Sequence, residues 1–189
     1  LYAISLKGAE RSFTYWRSDS AARHLADDPR RLGRSLAARD LIYFSGITLA
    51  ILPADSRPVF RAAIVAARAS GARIAFDPNY RPRLWESPET ATAEIGSAAA
   101  NADFVLPTFD DESALFGDAT PQETAGRLFS AGVEECVVKN GAEPALVCKS
   151  GQFDAVPALS GVRAVDTSGA GDAFNGAYLA ARLLGRDPT

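Results

Sequence analysis

Methionine is absent from this chain, histidine occurs once, at His24, and cysteine twice, at Cys136 and Cys148. Without methionine there is no initiator. The chain also opens in an alternating strand pattern and stops just after a helix, so it reads as an interior piece of a longer protein. Both cysteines sit in apolar strand-like runs; two of them make no disulfide framework and suit buried thiols in a reducing cytoplasm. No apolar run approaches the roughly 18 residues of a membrane-spanning helix. The opening L-Y-A-I-S-L-K-G lacks the basic start, apolar core and cleavage site of a signal peptide. Neither sign of charge dominates: the formal net charge of −3 gives no reason to expect nucleic acid or an anionic membrane as partner. Internal repeats and low-complexity tracts are missing too, and His24, in a polar segment, reads as an exposed residue.

What is present is a soluble, globular composition of 189 residues, 47% hydrophobic and 23% charged. Residues 1 to 17 alternate as two strands of a hairpin, with Tyr2, Ile4 and Leu6 on one face and Phe13 and Tyr15 resuming after K-G-A-E. Asp28 caps a helix that has Pro29 at its first position and runs to about Ala38. The spacing then predicts L-I-Y-F-S-G as a strand, 55 to 70 a helix stopped by Gly71, 72 to 77 a strand and 87 to 100 a helix. F-V-L-P is a strand, Asp110 to Phe116 and Pro121 to Ala131 are helices, E-C-V-V-K and P-A-L-V-C-K are strands, and a last helix begins near Gly171. Its apolar face is expected at Phe174, Ala177, Tyr178, Ala181 and Leu184. Such alternation specifies an α/β fold with a largely parallel sheet covered on both faces. Ligands in such sheets bind at the carboxyl ends of the strands.

The most informative stretch is V-D-T-S-G-A-G-D-A-F-N-G, residues 165 to 176. It places Gly169, Ala170 and Gly171 where a helix starts, and unpaired N–H groups and a positive dipole end there favour anions. Glycine lets the backbone approach such an anion closely. A Rossmann fingerprint would need glycine at Phe174, and a Walker P-loop would need a Gly-Lys pair that the chain lacks.

D-T-S-G-A-G-D-A-F-N-G resembles the second signature of the ribokinase-like (PfkB) family of carbohydrate kinases. The resemblance implies a three-layer ribokinase-like fold, incomplete here at both ends, with ATP and Mg²⁺ as cofactors. It also implies an anion hole from the amides of Gly169, Ala170 and Gly171, and Asp172 as catalytic base. E-R-S-F-T-Y-W-R, F-D-P-N-Y-R-P-R-L-W and F-D-D-E-S-A-L-F-G-D resemble the 2-keto-3-deoxygluconate kinases within that family. The implied activity is phosphorylation of the terminal hydroxyl of that acid sugar, giving 2-keto-3-deoxy-6-phosphogluconate; a neutral-sugar kinase and a non-catalytic sensor on the same fold are the alternatives. In the resemblance, residues 1 to 17 are part of a β-lid over the sugar site, residues 18 to 189 form the kinase core, and Tyr2, Tyr15, Arg17 and Arg81 bind substrate. Pairing of copies through the lid is also compatible with it. An arginine fork suits a carboxylate, which a neutral sugar does not supply.

Three weaker implications follow. V-V-K-N-G-A-E-P resembles the strand and loop beside the ATP phosphates, which assigns Lys139 and Gly141 to the nucleotide, although Pro144 replaces the customary second glycine. Glu112 resembles an acid acting indirectly near the magnesium ion, although Phe109 replaces the usual asparagine. Asp77 and Asn79 either orient the site or cap a turn.

Overall fold

A computed structural model of the chain describes residues 2–7, 10–15, 19–162 and 166–188. Two strands, β1 (Tyr2–Lys7) and β2 (Glu10–Tyr15), pair antiparallel as the alternation requires, with Tyr2 opposite Tyr15 and Lys7 opposite Glu10.

The six-stranded sheet runs β3 (Leu41–Ser45), β4 (Arg73–Asp77), β5 (Phe104–Val105), β6 (Glu135–Val138), β7 (Ala145–Lys149) and β8 (Gln152–Val156), neighbours in space being neighbours in sequence. The first four strands are parallel, and β7 and β8 return antiparallel. The seven helices are α1 (Pro29–Leu36), α2 (Gly46–Ile51), α3 (Arg57–Ala69), α4 (Pro88–Ala100), α5 (Phe109–Phe116), α6 (Pro121–Ser130) and α7 (Ala170–Leu183).

Strand periodicity sorts the core into two layers. Ile42, Phe44, Ile74, Phe76, Val105, Cys136 and Val138 point to one face, where they pack with Leu32, Leu49, Phe60, Ile64, Ile95 and Leu128 of the helices. Ala75, Phe104, Leu106, Val137 and Val147 point to the other and meet Leu179 of α7. The sheet therefore has helices on both faces. Cys136 and Cys148 lie opposite each other across β6 and β7 as buried free thiols.

Local signals account for the boundaries. The Asp28 carboxylate accepts from the amides of Arg30 and Arg31 at 2.9 and 3.0 Å, which fixes the start of α1. Ser87 and Thr120 cap α4 and α6 in the same way, through the amides of Thr90 and Glu123. Two elements differ from the spacing. Gly46 opens the short α2 rather than ending its strand, because P-A-D-S and not the glycine breaks the chain. β8 is exposed along its whole length, so no core-facing alternation marks it.

The anchoring face of α7 also differs from expectation. Phe174 is 37% exposed and Leu184 76%, Ala177 is exposed, and Tyr178 and Ala181 are only half-buried. The buried residues are Asn175 and Leu179. Hydrophobic spacing misjudges this helix because its inner face is fixed by polar contacts.

Candidate active site

The carboxyl ends of β4, β5 and β6 open into a cleft of about 360 Å³. Asp77, Asn79 and Arg81 enter it after β4, Thr108 and Asp111 around the start of α5, and Lys139 just past β6. Thr167 to Gly169, Gly171 and Asp172 close it from the start of α7. A second cleft of about 380 Å³ shares Lys139 and continues along Asn140, Gly141 and Glu143 to Ala145, Val156, Leu159 and Phe174. The ring of Phe174 stacks on Tyr178 with centroids 6.2 Å apart.

Gly169 takes φ +74°, a left-handed conformation that glycine adopts without penalty, and caps α7. The Ala170 amide donates to the Thr167 carbonyl at 3.1 Å. Of the expected anion-binding amides, Ala170's is thus committed to the turn. Those of Gly171 and Asp172 lie in the first turn, where no preceding helical carbonyl serves them. A Cβ at Gly171 would come within 3.8 Å of Lys139 Nζ, which places the ammonium against the same turn. Asp172 is exposed to the cleft and has no side-chain hydrogen bond among the described residues.

Beneath this turn lies a polar floor. Lys139 Nζ donates to Asp77 Oδ2 at 3.0 Å and to Asn175 Oδ1 at 3.1 Å. Asn175 Nδ2 donates to Asp77 Oδ2 at 2.7 Å and to the Tyr43 hydroxyl at 3.1 Å. Asp77 Oδ1 accepts from the Asn79 amide at 3.0 Å. Burial pushes the Tyr43 hydroxyl up to about 12, so it remains a neutral partner. Asp77 therefore both caps the turn and holds the site together.

Arg81 is held by one nitrogen. Its Nη1 donates to the Tyr80 carbonyl at 2.6 Å and to both oxygens of Asp111 at 3.1 Å. Nε and Nη2 have no partner among the described residues, which leaves one edge of the guanidinium for an anion. Desolvation raises the Asp111 carboxyl above its ordinary range, and Arg81 opposes that shift. Tyr2 and Tyr15 occupy facing positions on β1 and β2, and Arg17 lies outside the described residues.

Glu112 is not among the residues lining the cleft. It is 1% exposed, and its Oε2 accepts from Arg127 Nη2 at 2.6 Å while Oε1 has no partner. The indirect metal role expected of it is therefore not where the structure puts its carboxylate; the α5 acid in the cleft is the preceding residue, Asp111. Arg127 also pairs with Asp118 at 2.7 Å, so the cluster clasps α5 to α6. Desolvation pushes Glu112 up to about 7 in spite of Arg127. Ionising it costs folded-state stability as pH rises from near 4.5, its ordinary value, through about 7, and the cost is complete above that. Glu112→Gln removes this dependence. Thermal melts should show its Tm relative to the parent rising between about pH 5 and about pH 8; a difference that stays flat or falls contradicts a desolvated carboxylate.

The structure brings together Asp172, Gly169, Gly171, Lys139 and Arg81. It adds Asp111, Thr108, Tyr43 and Asn175, which sequence reasoning missed. Asn175 alone carried a signal, as the polar residue three positions after Asp172 in an otherwise small and apolar helix.

A family model described as pfkB family carbohydrate kinase matches residues 1–189. A 2-dehydro-3-deoxygluconokinase from Dickeya dadantii (strain 3937) is 42% identical over 181 residues, covering 93% of this chain and 58% of that protein. The crystal structure of a PfkB protein from Polaromonas sp. JS666 superposes with a TM-score of 0.84 at 30% identity, covering 98% of this chain and 60% of that one. A fructokinase from Vibrio cholerae O395, in a fructose, ADP and calcium ion bound form, superposes with a TM-score of 0.66 at 30% identity over 74% of this chain and 44% of its own. The chain spans about three-fifths of the length of the Dickeya relative, 58%.

Proposed function

The chain belongs to the pfkB family of carbohydrate kinases, and from that premise we propose that the protein phosphorylates the terminal hydroxyl of 2-keto-3-deoxygluconate at the expense of ATP, giving 2-keto-3-deoxy-6-phosphogluconate. The observation that carries the sugar-acid reading is Arg81, which keeps one edge of its guanidinium unpartnered among the described residues and lines the same cleft as Asp172 and the glycine turn.

Each element then has a task. Arg81 Nε and Nη2 match a carboxylate in the planar, two-point manner that guanidinium allows. Asp172 accepts the hydroxyl proton as the hydroxyl oxygen bonds to the γ-phosphorus of ATP and the phosphorus–oxygen bond to the departing ADP breaks. The Gly171 and Asp172 amides and Lys139 take charge developing on the transferred phosphoryl group. The second cleft, with Gly141 at its mouth and Phe174 along its wall, suits the rest of the nucleotide. Among the described residues no group of three or more His, Cys, Asp or Glu is arranged to hold a metal ion. A magnesium ion would supply charge neutralisation on the donor phosphates. Also proposed are residues 1 to 17 as part of a lid over the sugar, Tyr2, Tyr15 and Arg17 as substrate-binding residues, and pairing of copies through the lid. The unbridged thiols suit the cytoplasm.

A neutral sugar is the competing substrate, since the fructose-bound neighbour shares the fold at 30% identity. Turnover of the keto-deoxy acid, fructose and ribose by the full-length protein decides between them, and a preference for fructose or ribose rejects the acid-sugar reading. Arg81→Lys keeps the charge and loses the fork. Acid-sugar binding should weaken by about 1–3 kcal/mol, the value of a charged hydrogen bond, with MgATP affinity unchanged. Equal weakening of both would make Arg81 structural or phosphate-directed.

A further inference from the structure

We propose that Asn175 is a positioning residue, which locks the first turn of α7, and so Asp172, to the sheet while holding Lys139 at the floor of the cleft. This rests on reading the cleft as a phosphoryl-transfer site.

Asn175 is 1% exposed and follows Asp172 by three residues, close to one helical turn. Its three hydrogen bonds reach a strand edge at Tyr43, the end of β4 at Asp77 and the end of β6 at Lys139. All three partners are side chains, and two of them line the cleft. Their chemistry fixes the amide's orientation. A carboxylate only accepts and an ammonium only donates, so the NH₂ must face Asp77 and the oxygen must face Lys139.

No other side chain of this size meets those demands together. Leucine would leave Asp77 short of a donor and Lys139 short of an acceptor. Aspartate would set a second negative charge beside Asp77. A buried asparagine needed only for folding could satisfy itself on the backbone; this one joins the groups that face the reacting atoms. Because its partners lie 36, 98 and 132 residues away in sequence, nothing local holds α7 in this register.

The test uses the full-length protein and two variants. In Asn175→Leu, kcat should fall by about tenfold to a hundredfold, the scale of an ångström-sized misplacement, while the KM for sugar changes little. Asn175→Asp adds a titratable group facing Tyr43 from β3, Asp77 from the end of β4 and Lys139 from the end of β6, one turn from Asp172. Its kcat should recover as pH falls, because a protonated carboxyl regains a donor for Asp77, and the parent should show no such rise. Unchanged kcat in a folded Asn175→Leu, with only a lower Tm, overturns the proposal, as does an Asn175→Asp profile parallel to the parent's. Should Asn175→Leu not fold, the Asn175→Asp profile decides. The ¹⁵Nζ signal of Lys139 provides a readout apart from activity. A lysine locked in hydrogen bonds gives an observable signal, expected in the parent and absent in Asn175→Leu, which offers no acceptor. A signal as strong in Asn175→Leu as in the parent overturns the proposal even where the parent phosphorylates no sugar, the outcome that would reject the kinase reading itself.

Discussion

Replacing Asp172 by asparagine should leave a folded protein whose kcat is lower by about 10²–10⁴-fold, the usual worth of general-base catalysis. The side chain keeps its size but loses the ability to take the hydroxyl proton. Little stability should go with it, because Gly169 is the residue at the cap position and the Asp172 carboxylate makes no hydrogen bond among the described residues. ATP binding, followed by calorimetry, should persist, since the amides of the turn and Lys139 are untouched. Near-normal kcat with a clearly lower Tm would show that Asp172 serves the helix instead, a role worth about 0.5–2 kcal/mol for a capping side chain.

Gly46→Ala should be the most damaging glycine-to-alanine change among the described residues. A Cβ at this position would lie 1.9 Å from the Pro78 carbonyl oxygen and 3.0 Å from its carbon, both backbone atoms. Glycine here serves close approach, with α2 starting directly against the segment that follows β4. That segment carries Asp77, Asn79 and Arg81, so relieving the clash displaces the polar floor and the anion fork together. We expect a loss of about 1–3 kcal/mol or more, the range of core overpacking, read as a lower denaturation midpoint. Acid-sugar affinity should fall with it. Wild-type stability together with wild-type affinity would mean that the loop moves freely and does not position Arg81.

The parallel sheet was legible because its strands are short apolar runs between capped or proline-started helices, as at Asp28-Pro29, Ser87-Pro88 and Thr120-Pro121. The glycine turn was legible because Gly169 and Gly171 mark the passage into α7, and the family resemblance singled out Asp172, which the structure places at the cleft. Other features were invisible for physical reasons. Nothing in D-D-E says which acid faces the cleft: Asp111 and Glu112 are adjacent, and a helix sends adjacent side chains some 100° apart. Asp111 reaches Arg81, while Glu112 is buried against Arg127. Likewise the apolar face expected for α7 was Phe174, Ala177, Tyr178, Ala181 and Leu184. Yet of these Tyr178 packs on the core beside the buried Asn175 and Leu179, and Tyr178 and Arg182 bond to Glu135; polar contacts on the inner face carry no hydrophobic signal.

The order of the sheet is the order of the chain, β3 through β8. From β3 onward, a ribosome delivering this sequence therefore adds each strand of this sheet beside the one made before it, and each pairing closes a loop rather than waiting for a distant partner. Asn175, by contrast, must reach back 98 residues to Asp77 and 132 to Tyr43. The sheet can form first, with Lys139 already paired to Asp77, and on the proposed reading the site is complete only when α7 brings Asp172, the glycines and their anchor on one segment.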